Sequence, residues 1–418
     1  MTEQKYKFLS TPRRPVEDRR FVAGRGKFIA DLDRPNMLHV APLASHHAAA
    51  VINGIDASAA LAMPGVVDVI TGAELAAAVQ PLMNGLNTPN VRRFPLAVDR
   101  VRYAGEWVCA VVAESRALAE DALEKIIVDA TPQPFVLDAE AALLDTSVPV
   151  HPEHGSNLLL DRKFVWGPVD DDFDAAAHSL SFSVTWGRNS TVPIETFGVL
   201  AEWNGWDQML DIWASIQMPK YADQIARSLD LPGNAIRVHY DVDVGGSYGV
   251  KRGIKHSVLV GYIARKLGCS VRLIEDRLEN MRAGDAHGPE RKFDITIAFD
   301  QDGTVRSMKM RALDNAGAYA GRAPFQLGKP ISAIVGPYQI NSVAYHALSV
   351  TTNKTVQEAV RGFGQAPTNY AIETAMDRVA EYLGMDRLAL RQKNLIRKDQ
   401  FPYLIPSGSY YDSGDYHA

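Results

Sequence analysis

The glycine-rich stretch DVDVGGSYGVKRG, residues 241–253, directly follows IRVHY, an alternating run that predicts a β-strand. Glycines at such a place provide positive φ angles, or let a ligand approach the backbone more closely than a Cβ atom would allow. A P-loop is excluded because Val250 separates Gly249 from Lys251. A dinucleotide-binding loop is poorly matched, since Val244 stands where its first glycine would be. The stretch therefore predicts either a structural turn or a cofactor-binding loop of another kind.

Two further segments place one polar side chain among small residues at predicted strand ends. They are ASIQMP, which contains Gln217, and AVRGFGQ, which contains Arg361, Gly362, Phe363 and Gly364. With the glycine-rich stretch they offer backbone amides, an arginine and a glutamine, which suit one large anionic cofactor. Each side chain also has a plainer interpretation, with Gln217 capping the following helix and Arg361 forming a surface ion pair.

Other reactive groups lack the spacing that chemistry would need. His151 and His154, in HPEH, do not have the spacing of a helical zinc site. Glu106 precedes the apolar strand WVCAVVAE and is expected to be structural rather than a general base. Cys109 and Cys269 lie in apolar segments, so both are expected to be reduced and inert. Two thiols cannot hold an iron–sulfur cluster, so such clusters would belong to other chains.

The first part of the chain, residues 1–145, mixes predicted strands and helices. GKFIADL, MLHVAPLA and PGVVDVITG predict strands, VCAVVAES predicts another, and RALAEDALEKI predicts a helix. This part is expected to be a compact α/β unit. Residues 146–178 contain glycine, proline and a run of aspartates, and are predicted to be a linker.

The second predicted region, residues 179–418, begins with the strand SFSVTW. Alternation in FDITIAF, followed by QDG and TVRSMKMRAL, predicts a β-hairpin. Apolar residues at helical spacing predict one helix directly after the glycine-rich stretch and another that stops at Gly384. These strands and helices must therefore position the three polar loops.

Composition narrows the classes of partner. The 418 residues are 46% hydrophobic and 22% charged, as in an ordinary soluble globular protein, and their net charge of −5 excludes a basic surface for nucleic acid. No run approaches the ~20 apolar residues of a membrane span, and the N-terminus lacks the apolar core of a signal peptide. A cytoplasmic location is expected.

The chain closely resembles the molybdenum-binding subunit of the xanthine dehydrogenase and aldehyde oxidase family, the molybdenum hydroxylases, from about Pro15 to Ser413. The resemblance is carried, in order, by GKFIADLDRPNML, PGVVDVITG, VRYAGEWVCAVVAESRALAEDAL, ASIQMP, VGGSYGVK, DNAGAYAG, GPYQI, TTNKTVQEAVRGFG and LALRQKNLI. It implies an α+β or α/β fold, in which an α/β hammerhead domain over residues 1–145 precedes the first molybdopterin-binding domain over residues 179–418.

The resemblance also implies that the three loops hold the molybdenum cofactor, a molybdopterin expected in its cytosine dinucleotide form. The glutamine would hydrogen-bond the molybdenum oxo group, the glycine-rich backbone would approach that group, and the arginine would contact the pterin. The metal would be held through the pterin, without a direct protein ligand. The implied cofactor contacts are Gln217, Gly246, Ser247, Tyr248, Gly249, Arg361, Gly362, Phe363 and Gly364.

In this family a metal-bound hydroxide attacks an electron-poor carbon of an N-heteroaromatic ring or an aldehyde, and the oxygen comes from water. Electrons would leave through partner subunits that carry [2Fe-2S] clusters and FAD. The family's general base is a glutamate in a segment that follows the part matched here, so a second molybdopterin-binding chain is expected to supply it and to complete the pocket; a truncated chain is the alternative. Other hypotheses are a cofactor-free scaffold and an NAD-dependent dehydrogenase.

The family's usual G-G-G-F-G-G-K-E is GGSYGVKR here, with substitutions at Ser247, Tyr248, Val250 and Arg252, and two positions bear on the substrate. Arg252 stands where purine-oxidising members carry a glutamate, so a purine substrate is not expected. Arg252 would favour a substrate with a carboxylate if it faces the pocket, or it would turn to solvent or to an acidic neighbour. Gly362 stands where carbon monoxide dehydrogenases carry the cysteine of a copper site, which argues against carbon monoxide oxidation.

Overall fold

The computed structural model describes residues 12–82, 91–218, 220–283 and 285–418. The strands of these residues are β1 (Leu38–Ala44), β2 (Ala50–Asp56), β3 (Val66–Thr71), β4 (Arg100–Val101), β5 (Trp107–Ala113), β6 (Ile127–Pro132), β7 (Leu158–Trp166), β8 (His178–Trp186), β9 (Gly198–Asn204), β10 (Met209–Ala214), β11 (Ile236–His239), β12 (Val271–Ile274), β13 (Arg291–Phe299), β14 (Val305–Gly317), β15 (Ser342–Thr351), β16 (Tyr403–Leu404) and β17 (Tyr410–Tyr411).

The α-helices of the same residues are α1 (Asp18–Val22), α2 (Ser58–Leu61), α3 (Gly72–Ala78), α4 (Arg116–Leu123), α5 (Ala139–Leu144), α6 (Val169–Ala175), α7 (Tyr221–Ser228), α8 (Lys255–Leu267), α9 (Arg277–Arg282), α10 (Ala323–Gly328), α11 (Gln365–Leu383) and α12 (Arg387–Asn394). In the part of the chain that the structure describes, no helix is both long and apolar enough to cross a bilayer.

A seven-stranded sheet joins the two predicted regions, in the order β11-β10-β9-β12-β1-β5-β3. The junction is parallel pairing of β1 with β12, where Leu38 lies opposite Val271. Every residue of β5 is buried, as its continuous apolar sequence predicts. Helix α8 packs on this sheet through buried residues such as Val258 and Ile263. The first region therefore shares a core with the strands that lead to the glycine-rich stretch.

A five-stranded sheet, in the order β7-β15-β14-β13-β8, forms the second core. The predicted hairpin of β13 and β14 is confirmed, and the alternating residues Phe293, Ile295 and Ile297 are fully buried. Helix α11 packs against them through its own apolar stripe and ends, as predicted, at Gly384, whose φ is +64°. A smaller sheet, in the order β4-β2-β6, completes the first region.

Two segments have a structure that differs from the one their sequence predicts. GKFIADL was predicted as a strand, but it holds a 3₁₀ turn at Ile29–Asp31, because the Asp31 carboxylate accepts from the amide of Phe28 and Arg272 donates to the carbonyl of Ala30. The predicted linker 146–178 contains β7 and α6, and β7 pairs with β15 over most of its length.

The three polar loops leave this framework close together. Strand β10 runs parallel to β11, so the segments that follow them leave the sheet at the same edge. The first segment contains Gln217, and the second is the glycine-rich stretch, which ends where α8 begins. The third loop directly precedes α11. The fold thus places all three at helix starts or strand ends.

Candidate functional site

The structure brings the three predicted loops into direct contact. The amide of Gln217 donates to the carbonyl of Lys251 at 3.0 Å, and the amide of Arg361 donates to the carbonyl of Tyr248 at 2.6 Å. The side chains of Arg361 and Gln217 also meet, with 3.5 Å between Nη2 and Oε1. Gln217 does not cap α7, whose N-terminal cap residue is Lys220. The plainer interpretations of Gln217 and Arg361 are therefore not supported.

Two glycines allow these loops to pack so closely. A Cβ atom on Gly249, whose φ is +108°, would lie 2.5 Å from the carbonyl oxygen of Ala359 in the third loop. A Cβ atom on Gly364, whose φ is +86°, would lie 1.9 Å from the carbonyl oxygen of Gln326. A side chain at Gly249 would push the glycine-rich stretch and the third loop apart, and one at Gly364 would clash with α10, so glycine is required at both for packing as well as for conformation.

The glycine-rich stretch and the third loop also present backbone amides that have no acceptor in the described protein. In the ranges that the structure describes, the amides of these loops that donate to no protein acceptor include those of Ser247, Tyr248, Gly249, Gly362 and Gly364. Gly249 and Gly364 are buried. Because a buried amide without an acceptor is costly, these donors suit an anionic or carbonyl-rich ligand. The residues present therefore fit a large anionic cofactor.

An ion pair between a buried lysine and a half-buried glutamate, which no local sequence pattern indicates, holds the glycine-rich stretch in place. The Glu195 carboxylate accepts from Lys251 Nζ at 2.6 Å and from the amide of Gly245 at 2.8 Å. The Lys251 side chain is only 1% exposed. Burial lowers the pKa of Lys251, although the bond to Glu195 opposes this change. Glu195 lies 56 residues before its partner, so no local pattern indicated the pair.

Arg252 turns neither to open solvent nor to an ion-pair partner. Its side chain is half-buried, and its Nε atom is buried without a hydrogen-bond partner. It lines a cavity together with Arg322 and Glu358. Burial and the nearby charge of Arg322 lower the pKa of Arg252. Burial, with the charge of Asp285, raises the pKa of Glu358 to about 7.

Residues Gly245 to Gly249 also fit the G-x-S-x-G spacing of a hydrolase nucleophile. Such a nucleophile needs a base within hydrogen-bond reach. Ser247 Oγ instead accepts from the amide of Lys251 at 3.3 Å, and among the described side chains it contacts no histidine. The spacing therefore reflects the glycine-rich turn, not a catalytic serine.

The remaining candidates have structural roles. Glu106 is buried and accepts from the Tyr319 hydroxyl at 2.7 Å and from the amide of Arg102 at 2.6 Å. His151 Nε2 lies 2.7 Å from the carbonyl oxygen of Ala318. Across residues 12–82, 91–218, 220–283 and 285–418, no group of three or more metal-ligating side chains is found. Burial raises the pKa of Cys109 to about 12, which agrees with an inert thiol.

Sequence profiles of known families match both regions. Residues 23–134 match the a/b hammerhead domain of aldehyde oxidase and xanthine dehydrogenase, and residues 150–395 match the molybdopterin cofactor-binding domain. The predicted order of the two folds is thereby confirmed.

Similar proteins cover the whole chain. The nicotine 6-hydroxylase large subunit of Paenarthrobacter nicotinovorans is 32% identical over 96% of this chain and 50% of its own length. The structure of quinoline 2-oxidoreductase from Pseudomonas putida 86 is 32% identical, has a TM-score of 0.90, and matches 99% of this chain and 53% of its own. A carbon monoxide dehydrogenase from Oligotropha carboxidovorans is 29% identical, with a TM-score of 0.89, over 97% of this chain and 52% of its own. The chain thus spans about half the length of these relatives.

Proposed function

The chain belongs to the aldehyde oxidase and xanthine dehydrogenase family, and we propose that it forms part of the active centre of a molybdenum hydroxylase. The enzyme would hydroxylate an electron-poor carbon of an N-heteroaromatic ring or an aldehyde, with oxygen from water. One observation carries the proposal: the three loops contact each other. This contact groups their unpaired amides with the side chains of Gln217 and Arg361.

Residues of this chain would hold the cofactor and orient it. The free amides of the glycine-rich stretch and of the third loop would donate to its acceptor atoms, and Gln217 would donate its side-chain amide. Arg361, which is exposed and has no acidic partner among the described residues, would pair with its anionic groups. When bound, the molybdenum centre would supply the activated oxygen nucleophile.

Other chains would complete the enzyme. As the resemblance implies, a second molybdopterin-binding chain would supply the general-base glutamate and the rest of the pocket. Iron–sulfur and FAD subunits would accept the electrons. The cofactor would carry a cytosine dinucleotide, with the metal held through the pterin. The resemblance supports these assignments, and native purification can test each of them.

Carbon monoxide is not the proposed substrate, although carbon monoxide dehydrogenases are among the similar proteins. Gly362 offers no thiol for a copper site beside Arg361. The two cysteines lie elsewhere, since Cys109 is in β5 and Cys269 follows α8.

The deciding experiment is metal and pterin analysis of the natively purified complex, together with mass spectrometry of its subunits. We expect molybdenum, a pterin dinucleotide and a second large chain, and hydroxylation of heteroaromatic or aldehyde substrates with ¹⁸O from labelled water. A complex without molybdenum and pterin would support a scaffold instead. Turnover by this chain alone would contradict the shared pocket.

A further inference from the structure

We propose that the cavity lined by Arg252 binds a carboxylate of the substrate, and that Arg252 and Arg322 together recognise it. This inference rests on the proposed function, because it names the class of substrate for the same centre. It assigns Arg252 and Arg322 as specificity-determining side chains. The charged residues that line the cavity, called here the arginine cavity, are Arg93, Arg252, Lys255, Asp285, Arg322 and Glu358.

The arginine cavity contains more cations than carboxylates. Asp285 pairs with Arg93 at 2.5 Å and lies 4.0 Å from Lys255. Glu358 lies 3.7 Å from Arg93 and 4.0 Å from Arg322. The cavity therefore holds four cations and two carboxylates, and three of the cations lie within 4.0 Å of a carboxylate. The excess positive charge is expected to attract an anion into the cavity.

Arg252 is the cation without a partner. No carboxylate of the described residues lies within 4.0 Å of its guanidinium, and the buried Nε atom makes no hydrogen bond. A half-buried guanidinium with an unused donor, placed beside the second cation Arg322, loses hydration without a compensating bond. A bound carboxylate would supply this bond, and the planar guanidinium can hold both of its oxygens.

The arginine cavity adjoins the three loops. Arg252 lies near the end of the glycine-rich stretch, and its amide donates to the carbonyl of Val250 at 2.7 Å. Arg322 Nη2 lies 3.8 Å from Met218 Sδ, and Met218 follows Gln217 in the chain. Glu358 precedes Arg361 by three residues. A substrate whose carboxylate occupies the cavity would therefore present its ring beside the loops that are proposed to hold the cofactor.

The two arginines could also bind a phosphate group of the cofactor. The experiment must therefore distinguish a substrate carboxylate from a cofactor phosphate. The proposed experiment uses the natively purified complex and two matched sets of probes: the three pyridinecarboxylates and the three corresponding uncharged carboxamides. KM, kcat and the molybdenum and pterin content are measured for wild type, Arg252→Met, Arg252→Lys and Arg322→Met. Arg378→Ala serves as the control, since Arg378 is exposed on α11 and, among the described residues, pairs only with Glu381, at 3.0 Å.

We expect Arg252→Met to raise KM for the carboxylate substrates at least about tenfold, in line with the loss of a charge-assisted bond, with a smaller change in kcat. Arg322→Met should also raise this KM. Arg252→Lys should give a KM between those of wild type and Arg252→Met, because lysine keeps the charge but lacks the planar guanidinium. KM for the carboxamides and the cofactor content should stay near their wild-type values, as should every value for Arg378→Ala.

Two results would overturn the inference. Equal changes for acids and amides would show that the cavity does not recognise a carboxylate, and loss of cofactor from Arg252→Met would assign the anion to the cofactor. Failure of the proposed function is distinguishable, because a wild-type complex without molybdenum would show it directly. In that case, calorimetric titration with the pyridinecarboxylates would still test the cavity, and equal binding by wild type and Arg252→Met would contradict it.

Discussion

Lys251 and Arg252 are neighbours in the sequence, yet the structure uses them in opposite ways. Lys251 is buried and forms an ion pair with Glu195, which also accepts from the backbone of Gly245. Arg252 lines the arginine cavity and has no acidic partner among the described residues. The difference suggests a division of labour, in which a paired charge fixes the loop and an unpaired charge remains available to a ligand.

Loss of the paired cation should have the largest effect. Lys251→Met would leave the Glu195 carboxylate without its cation, so we expect the free energy of unfolding to fall by about 3 kcal/mol. The cofactor should be lost as well, because the glycine-rich stretch would no longer be fixed. Chemical denaturation of the complex and pterin analysis measure the two effects.

A second substitution checks this explanation. In the double variant Lys251→Met with Glu195→Gln, the uncompensated carboxylate is gone, and part of the stability should return. If the single and double variants are equally unstable, the ion pair is not what holds the loop.

An unpaired cation of the third loop should behave differently. Arg361→Ala should leave the free energy of unfolding nearly unchanged, since the side chain is exposed, but cofactor affinity should fall about 10- to 100-fold with the loss of charge-assisted bonds. Molybdenum content and activity are measured in parallel with thermal unfolding. Full activity in Arg361→Ala would contradict the assignment of this loop.

Substitution of Gln217, which lies beside Arg361, should affect turnover more than cofactor binding. Gln217→Ala removes one neutral donor, so we expect about a tenfold slower turnover while most of the cofactor stays bound. Gln217→Glu keeps the shape and replaces the donor with an acceptor, and it should be at least as slow. If both variants lose the cofactor to the same extent as Arg361→Ala, Gln217 serves only to hold it.

The sequence was informative where the signal is local. The positive φ angles and close approach of Gly249, the donor Gln217 and the loop of Arg361 could all be located from short motifs, because turns depend on neighbouring residues. Their shared chemistry predicted one anionic cofactor, and the resemblance then implied which cofactor it is. The hairpin of β13 and β14 and the end of α11 at Gly384 were predicted for the same reason.

Contacts between distant segments could not be predicted. Glu195 and Arg322 reach the site from separate parts of the chain, and neither lies in one of the three polar loops. The strand β7 lies in a segment rich in glycine, proline and aspartate, and it is ordered by pairing with β15 rather than by its own pattern. GKFIADL was wrongly predicted as a strand because side chains of Asp31 and Arg272, not a neighbouring strand, satisfy its backbone.

The smallest expected effect is a pH dependence of KM, and it concerns the arginine cavity rather than the ion pair of Lys251. The charged groups that face Glu358 are Arg93, Arg252, Lys255, Asp285 and Arg322. Because burial and Asp285 raise the pKa of the Glu358 carboxyl to about 7, this group is largely neutral below that pH and becomes an anion above it.

Ionised Glu358 would compete with a substrate carboxylate for Arg322, so KM for a pyridinecarboxylate should rise severalfold between pH 6 and pH 8. Glu358→Gln keeps the shape without the charge, so its KM at pH 8 should be close to the low wild-type value at pH 6. The carboxamides provide the control, because an uncharged group does not compete for the cation. Identical slopes in wild type and Glu358→Gln would show that this carboxyl does not regulate the cavity.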